Sequence, residues 1–383
     1  MDDVVTCPAC HSETAPGARF CEACGHEVDP GMPVSPVPDT VDTASPLDSV
    51  RVAPPAPACA ACGGVVAEDG YCQTCGTPAV KPRDHFREQP APWVAGVCDR
   101  GIRHHRNEDA MALAADAVPA SRALLVVCDG VSSSTDSDRA SLAAARASRE
   151  VLTGFRPRGA GTVAARVAAT AGLLESAAAA ANAAVVETTT APRGENPAAC
   201  TWVAAVLDAE LLVVGWVGDS RAYWLPDAGA ATALTVDDSW AAEQIARGVP
   251  RRDAEEGPQA HAITRWLGVD APDPTPRHAS RELEGPGWVL VCSDGLWNYC
   301  SEAEDLAALV RRCAAVRSPS LAPAGTAPGV TTPEPDRVPD PVADPGANAV
   351  ADPLSLAEEL VAWANAQGGH DNITVALARV GSP

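Results

Sequence analysis

The stretch VLVCSDGLWN, residues 289–298, decides how this chain folds. Val289, Leu290, Val291 and Cys292 suit a buried strand, yet they run straight into Ser293, Asp294 and Gly295. The chain repeats the pattern at LLVVCDG, 124–130, which ends on Asp129 and Gly130. A carboxylate at the mouth of an apolar core is costly unless something positive answers it.

Further acids sit at comparable junctions. RNEDAMAL places Glu108 and Asp109 at the entrance to a strand, and GGHDNITVALARV places Asp371 and Asn372 between a helix stop and a strand. GWVGDSRAYWL sets Asp219 in a tight turn between two strands that could form a hairpin. Taken singly, each is most often a turn or cap residue. Taken together, acids at the tips of apolar strands at one end of a sandwich repel unless cations bridge them. Hard divalent ions such as magnesium or manganese prefer such oxygen ligands, and glycine beside an aspartate lets a backbone carbonyl approach the ion.

The segments between these tips support a layered domain. CTWVAAVL, 200–207, and LLVVGWV, 211–217, read as adjacent strands buried on both faces. Residues 137–153 and 161–186, rich in Ala, Leu, Arg and Glu, predict helices. Two more helices open at SEAEDLAALVRRC, with Ser301 and Glu304 at capping-box spacing, and at SLAEELVAWANAQGG, with Ser355 and Glu358 likewise. Gly368 and Gly369 stop the second of these. The expected architecture is an α/β domain around a central pair of sheets.

The cysteines divide into two groups. Eight of the 14 form two similar units: Cys7, Cys10, Cys21 and Cys24, then Cys59, Cys62, Cys72 and Cys75. Each Cys-x-x-Cys makes a knuckle, two knuckles close a tetrahedral thiolate shell, and zinc suits that shell. Disulfides, an iron–sulfur cluster and a redox pair are the competing readings; two complete four-cysteine sets favour one structural zinc in each. Glycines after Cys24, Cys62 and Cys75 permit the backbone turn of a knuckle. Cys98, Cys128, Cys200, Cys292, Cys300 and Cys313 read as core packing.

Composition sets the limits. The 383 residues are 46% hydrophobic, enough for one large domain with small appendages, and the 35 prolines mark long unstructured stretches. The expected division is ribbon 1 at 1–25, a Pro-rich linker at 26–58, ribbon 2 at 59–76, a joint at 77–92, and a main domain at 93–383 with a Pro-rich insert at 317–354. A net charge of −22 opposes nucleic-acid and anionic-membrane binding. Residues 1–80 carry only Arg19 and Arg51 as fixed positive charges, so protein docking suits the ribbons better than nucleic acid. Neither a membrane-span-length apolar run nor a signal-peptide pattern is read, and a cytoplasmic location is expected.

RNEDA, VVCDG, VGDSRAY, VCSDGLWN and GGHDNITV, in this order, resemble the motifs of the metal-dependent type 2C (PPM) protein phosphatases, from about Ala95 to Val380. The resemblance implies a four-layer α/β/β/α sandwich. It also implies a dinuclear manganese or magnesium site and hydrolysis of phosphoserine and phosphothreonine by a metal-bridging hydroxide. Phosphoproteins are then the substrates, and a bacterial serine/threonine kinase the opposing activity. Carried over residue by residue, Asp129 bridges both metals with the Gly130 carbonyl, Asp294 and Asp371 hold one, and Glu108 holds the other. Asp219 matches the position that binds a third, weaker metal in bacterial members. Asp109 acts through water, and Asn372 shapes its turn.

The pattern departs at two places. Where many members carry a phosphate-gripping arginine, GIRHHRNED has His104; His104 is read as the phosphate contact, with Arg103 or Arg106 as substitutes. After Gly130 the chain reads Val131-Ser132-Ser133-Ser134, so no histidine acid comes from that loop. Protonation of the leaving group falls to His104, to a metal-held water, or to nothing specific, and the serines are expected to cap the next helix. The altered grip leaves a second reading, a phosphoprotein-binding pseudophosphatase whose ribbons act as an adaptor.

Overall fold

The computed structural model describes residues 58–59, 61–67, 69–77, 79–156, 161–190, 196–257, 259–316 and 352–381, with the backbone of 5–6 and 13–14. The chain divides into the units Met1–Ala56 and Pro57–Pro383. In the first, Val5–Thr6 pairs antiparallel with Glu13–Thr14. Cys7, Cys10, Cys21, Cys24, the 26–57 part of the linker and the insert up to residue 351 lie outside the described residues.

The second unit is built on two antiparallel sheets. Strands β1 (His85–Ala91), β2 (Val94–Asp99), β3 (Ala110–Ala115), β4 (Arg122–Cys128), β5 (Trp202–Asp208) and β6 (Leu211–Val217) are followed by β7 (Arg221–Pro226), β8 (Arg277–Glu282), β9 (Gly287–Cys292) and β10 (Ile373–Val380). One sheet has six strands, in the order Thr232–Ala233, β7, β9, β10, β2, β1; the other has five, in the order β8, β6, β5, β4, β3. Helices α1 (Ser137–Gly154) and α2 (Val163–Thr188) cover the second sheet. Helices α3 (Trp240–Ala246) and α4 (Arg251–Glu255) precede α5 (Asp294–Trp297), α6 (Ala303–Val316) and α7 (Pro353–Gln367), and these last three cover the first sheet.

The alternation of side chains along each strand separates three apolar layers. Leu124, Val126 and Cys128 face the α1–α2 layer, whereas Ala123, Leu125 and Val127 face the other sheet. On β9, Val289 and Val291 meet them from across the sandwich, and Trp288, Leu290 and Cys292 pack under α6 and α7. A strand buried on both faces needs a continuous apolar run, which is why VLVC and LLVV show no polar alternation. The result is the α/β/β/α sandwich expected.

Several local expectations change. The joint 77–92 ends in β1, which pairs with β2 at the sheet edge, because His85–Glu88 aligns with Gly96–Asp99. Glycine-bearing Val217–Arg221 is no hairpin: β6 lies in one sheet and β7 in the other, and Gly218 at φ +103° lets the chain cross between them. Neither capping box forms. Ser301 Oγ donates to Glu255 and Glu304 accepts from the Ala231 N–H, while α7 is capped by Asp352, whose carboxylate accepts from the Ser355 N–H. Nor do Ser132–Ser134 cap α1, whose N-cap is Asp136. The reading that no apolar run reaches membrane-span length is also corrected: α2 is long and apolar enough by length and composition, although its Leu173, Leu174, Ala177, Ala178 and Ala181 pack on the sheet.

Candidate active site

Antiparallel pairing brings the acids together. The start of one strand lies beside the end of its neighbour, so Ala110 pairs with Cys128 and Asp109 stands next to Asp129. In the other sheet Cys292 pairs with both Val375 and Arg221, which places Asp294 near Asp371 and Asp219. Both groups emerge at the same end of the sandwich, and Asp129 feels the charges of Asp109, Asp294, Asp371 and Asp219.

Glycine makes this convergence possible. A β-carbon on Gly295 would stand 2.0 Å from the Asn372 carbonyl oxygen, and one on Gly130 would stand 2.7 Å from the carbonyl oxygens of Glu108 and Ser137. The glycines after Asp294 and Asp129 therefore serve close approach between loops, a requirement that stands beside the carbonyl–ion approach expected of them.

The electrostatics record the crowding. Burial, then repulsion from neighbouring aspartates, pushes Asp129 and Asp294 well above the ordinary carboxylate range. Burial raises Asp109 to about 6, against the hydrogen bonds from Ser293 and Thr374. Burial and the Asp237 charge raise Asp219 to about 7, against the pull of Arg221. Asp109 Oδ1 and Asp294 Oδ1 are buried with no hydrogen-bond partner in the chain. Unpartnered, desolvated carboxylate oxygens in a group of like charges fit a hard divalent cation.

Glu108 is arranged differently. Its Oε1 accepts from Arg106 Nε (2.9 Å) and Nη2 (2.7 Å) and from Ser137, and its Oε2 accepts from Ser132 Oγ (3.1 Å). Burial opposes its charge, but the Ser137 and Arg106 contacts outweigh burial and hold its carboxyl below the ordinary value. His104 spans the two groups, with Nδ1 3.5 Å from Glu108 Oε2 and Nε2 3.2 Å from Asp371 Oδ1. Of the basic candidates, Arg106 is thus engaged with Glu108, and Arg103 is exposed on the loop.

Asn372 ties this loop down: its Oδ1 accepts from the Glu108 N–H (2.7 Å), and its Nδ2 donates to the carbonyls of Arg100 (2.7 Å) and Arg106 (3.1 Å). Ser293 Oγ (2.6 Å) and Thr374 Oγ1 (2.7 Å) both donate to Asp109 Oδ2. Sequence reasoning missed Ser132, Ser137, Ser293 and Thr374. Ser293 and Thr374 lie inside the quoted motifs, each next to or near an acid, and that position was the available signal. A cleft of about 780 Å³ opens from Asp294 and Asp371 and runs past Thr235, Ile245, His261 and Tyr299.

The second four-cysteine unit is preformed. The Sγ atoms of Cys59, Cys62, Cys72 and Cys75 all lie within 4.8 Å of one another, with Cys59–Cys75 at 3.6 Å and Cys62–Cys72 at 3.5 Å. Tetrahedral zinc with bonds of about 2.3 Å separates thiolates by roughly 3.8 Å, so the set fits zinc. Gly63 and Gly76, at φ +72° and +71°, close the knuckles by donating to the carbonyls of Cys59 and Cys72. The four cysteines are free thiols, not disulfides.

Comparison with known proteins agrees with this geometry. A double zinc ribbon family matches residues 7–86. The serine/threonine phosphatase stp of Listeria innocua is 33% identical over 110 residues, 28% of this chain and 43% of that protein, so the match spans under half of the relative. The PPM Ser-Thr phosphatase MsPP from Mycobacterium smegmatis, solved with cacodylate, is 25% identical, with 75% of this chain and 98% of that one covered at a TM-score of 0.52. The catalytic domain of the serine/threonine protein phosphatase PstP, solved with two manganese ions, is 23% identical, with 75% and 97% covered at a TM-score of 0.50. The protein phosphatase 2C family matches residues 101–323, more than half of the chain, and the chain belongs to that family.

Proposed function

We propose that this protein is a metal-dependent serine/threonine protein phosphatase, hydrolysing phosphoserine and phosphothreonine in proteins and opposing a serine/threonine kinase. The observation that carries the reading is the cluster of Asp109, Asp129, Asp294 and the half-buried Asp371, with one oxygen each of the buried Asp109 and Asp294 left unpartnered. Asp129, the Gly130 carbonyl, Asp294, Asp371 and Glu108 would hold two manganese or magnesium ions, with Asp219 toward a third. Such ions supply an acidic water as nucleophile near neutral pH and neutralise charge on the phosphoryl oxygens.

The chain's own residues do the rest. Ser293 and Thr374 hold Asp109 still through Oδ2 and leave its Oδ1 buried without a partner. Asn372 fixes the loop that carries Glu108, and His104, between Glu108 and Asp371, stands where a donor can meet a substrate phosphate. The cleft beside Asp294 and Asp371 has room for residues flanking the phosphorylated side chain. Zinc in each ribbon, with a protein partner for the pair, completes the reading, and the ribbons, linkers and main domain follow the divisions expected from sequence with β1 added to the domain.

The test is phosphate release from a phosphothreonine peptide with manganese, with magnesium and with chelator, alongside Asp294→Asn. Metal-dependent release lost in Asp294→Asn is expected. No release from folded, zinc-loaded protein under any metal condition would sink the reading.

A further inference from the structure

Arg83 lies on the single turn Pro82–Asp84 that joins the second ribbon to β1. Its partners are backbone carbonyls and a hydroxyl rather than a carboxylate. Nε donates to the Asn107 carbonyl (3.0 Å), and Nη2 donates to the carbonyls of Asp109 (3.0 Å) and Asp138 (2.6 Å) and to Ser141 Oγ (3.1 Å). Asn107 returns the contact, its Nδ2 donating to the Arg83 carbonyl (2.9 Å). Ser141 Oγ donates to the Glu108 carbonyl, which also accepts from the Gly130 N–H (3.1 Å). One guanidinium therefore grips the carbonyls on both sides of Glu108, and its hydroxyl neighbour holds the carbonyl between them. A planar fork of five donors meets several acceptors at once, whereas an ammonium reaches fewer in fixed geometry.

The segment carrying Arg83 is fastened at both ends. Toward the ribbon, the Ala79 N–H donates to the Gly70 carbonyl (2.7 Å), and the Cys72 N–H donates to the Thr77 carbonyl (2.8 Å). Toward the main domain, the Asp84 carbonyl accepts from the Arg100 N–H (2.7 Å), at the start of the loop that leads to His104.

We propose that Arg83 is a positioning residue for the Asn107–Asp109 loop, setting where Glu108 and Asp109 stand against Asp129 and thereby the affinity of the site for divalent cations. The joint after the second ribbon then forms part of the catalytic site's support, and is more than a spacer. The inference rests on the phosphatase reading above. Removing a group that orients metal-binding residues typically costs about 10–100-fold in metal affinity.

The test uses the full, zinc-loaded chain. Arg83→Met keeps the apolar stem and removes every donor; Arg83→Lys keeps the charge but not the fork. Manganese affinity is measured by calorimetry well below the melting temperature, with the melting temperature of the manganese-free protein and the manganese dependence of phosphopeptide hydrolysis taken in parallel. Arg83→Met is expected to bind manganese about 10–100-fold more weakly, with Arg83→Lys between it and wild type. Saturating manganese is expected to restore kcat with the peptide KM unchanged. A lower melting temperature with unaltered manganese affinity in the folded fraction would make Arg83 merely structural and overturn the proposal. If Arg83→Met does not fold, Arg83→Lys decides alone: affinity equal to wild type overturns the proposal, and weaker affinity supports it. Wild-type protein that neither binds manganese nor hydrolyses the peptide would remove the phosphatase reading and this inference with it; an active wild type beside an unweakened Arg83→Met removes the inference only.

Discussion

Gly295→Ala is the smallest change that tests why glycine follows Asp294. The new β-carbon would stand 2.0 Å from the Asn372 carbonyl oxygen and 3.1 Å from Ile373 Cγ1, where ordinary contact begins at 3.4 Å. Relief requires the Asp294 turn and the Asp371–Asn372 loop to part by more than ~1 Å, and a misplacement of about 1 Å in a reacting constellation costs on the order of 100-fold in rate. Overpacking itself costs about 1–3 kcal/mol. Because Gly295 lies in a helix, alanine would otherwise gain roughly 1 kcal/mol, so even a net loss of about 1 kcal/mol carries the sign of the clash. The matched control is Gly172→Ala in α2, where nothing lies within 4 Å of the new carbon. It should stabilise by about 0.5–1 kcal/mol and leave turnover unchanged. Melting curves and manganese-dependent phosphate release on both variants decide the matter. A Gly295→Ala protein that melts no lower than wild type and keeps its turnover within a few-fold would refute the close-approach argument.

Other expectations follow from the same contacts. Arg221 is 6% exposed, pairs with Asp237 at 2.6 Å and stacks 3.5 Å from the Trp297 ring; Arg221→Ala strands a buried carboxylate, and denaturant titration should show a loss of about 3–5 kcal/mol. His104→Ala should raise the phosphopeptide KM by about 10-fold, the worth of one hydrogen bond to a charged group, and His104→Arg should recover it; steady-state kinetics read both. Cys72→Ser should lower the zinc content by about one equivalent per chain, since four thiolates close the shell, and metal analysis counts it. Asp109 at about 6 and Asp219 at about 7 are raised above their unfolded values, so the folded chain binds protons more tightly. Their contribution to stability is present at acid pH and lost as pH rises through 6–7. Metal-free protein should therefore lose stability through this term between pH 5.5 and 7.5, and manganese should offset the loss; thermal melts at the two pH values check it.

Much of the site was legible because its logic is local. An apolar run ending in Asp-Gly announces both a strand and a carboxylate at its tip, and antiparallel pairing then brings Asp109 to Asp129 and Asp294 to Asp371. The sheet crossing at Gly218–Asp219 was not legible, since a turn between two apolar strands has the same pattern whether the second strand pairs with the first or leaves for another sheet. Helix caps failed for a related reason. Ser301 and Glu304 found Glu255 and the Ala231 N–H, partners far along the chain that compete with the local box. Arg83 and Ser137 have no sequence signal, because what they hold lies far from them in sequence: for Arg83 mostly backbone carbonyls, for Ser137 the Glu108 carboxylate.

The choice of partners around the acids follows from what the site must bind. Loops crowded with like charge splay apart unless cross-linked, yet a lysine or arginine among Asp109, Asp129 and Asp294 would neutralise the charge that attracts a divalent ion. Neutral donors resolve the conflict. Ser293 and Thr374, from one sheet, reach Asp109 at the edge of the other, and Asn372 joins the Glu108 backbone to the loop it starts from. These bonds hold the carboxylates in place while leaving Asp109 Oδ1 and Asp294 Oδ1 without a competitor. The cations are kept to the periphery, where Arg221 answers Asp237 and Arg83 takes carbonyls instead of carboxylates. Arg106 on Glu108 is the exception, and it is the pairing that a metal held by Glu108, as proposed above, would have to displace.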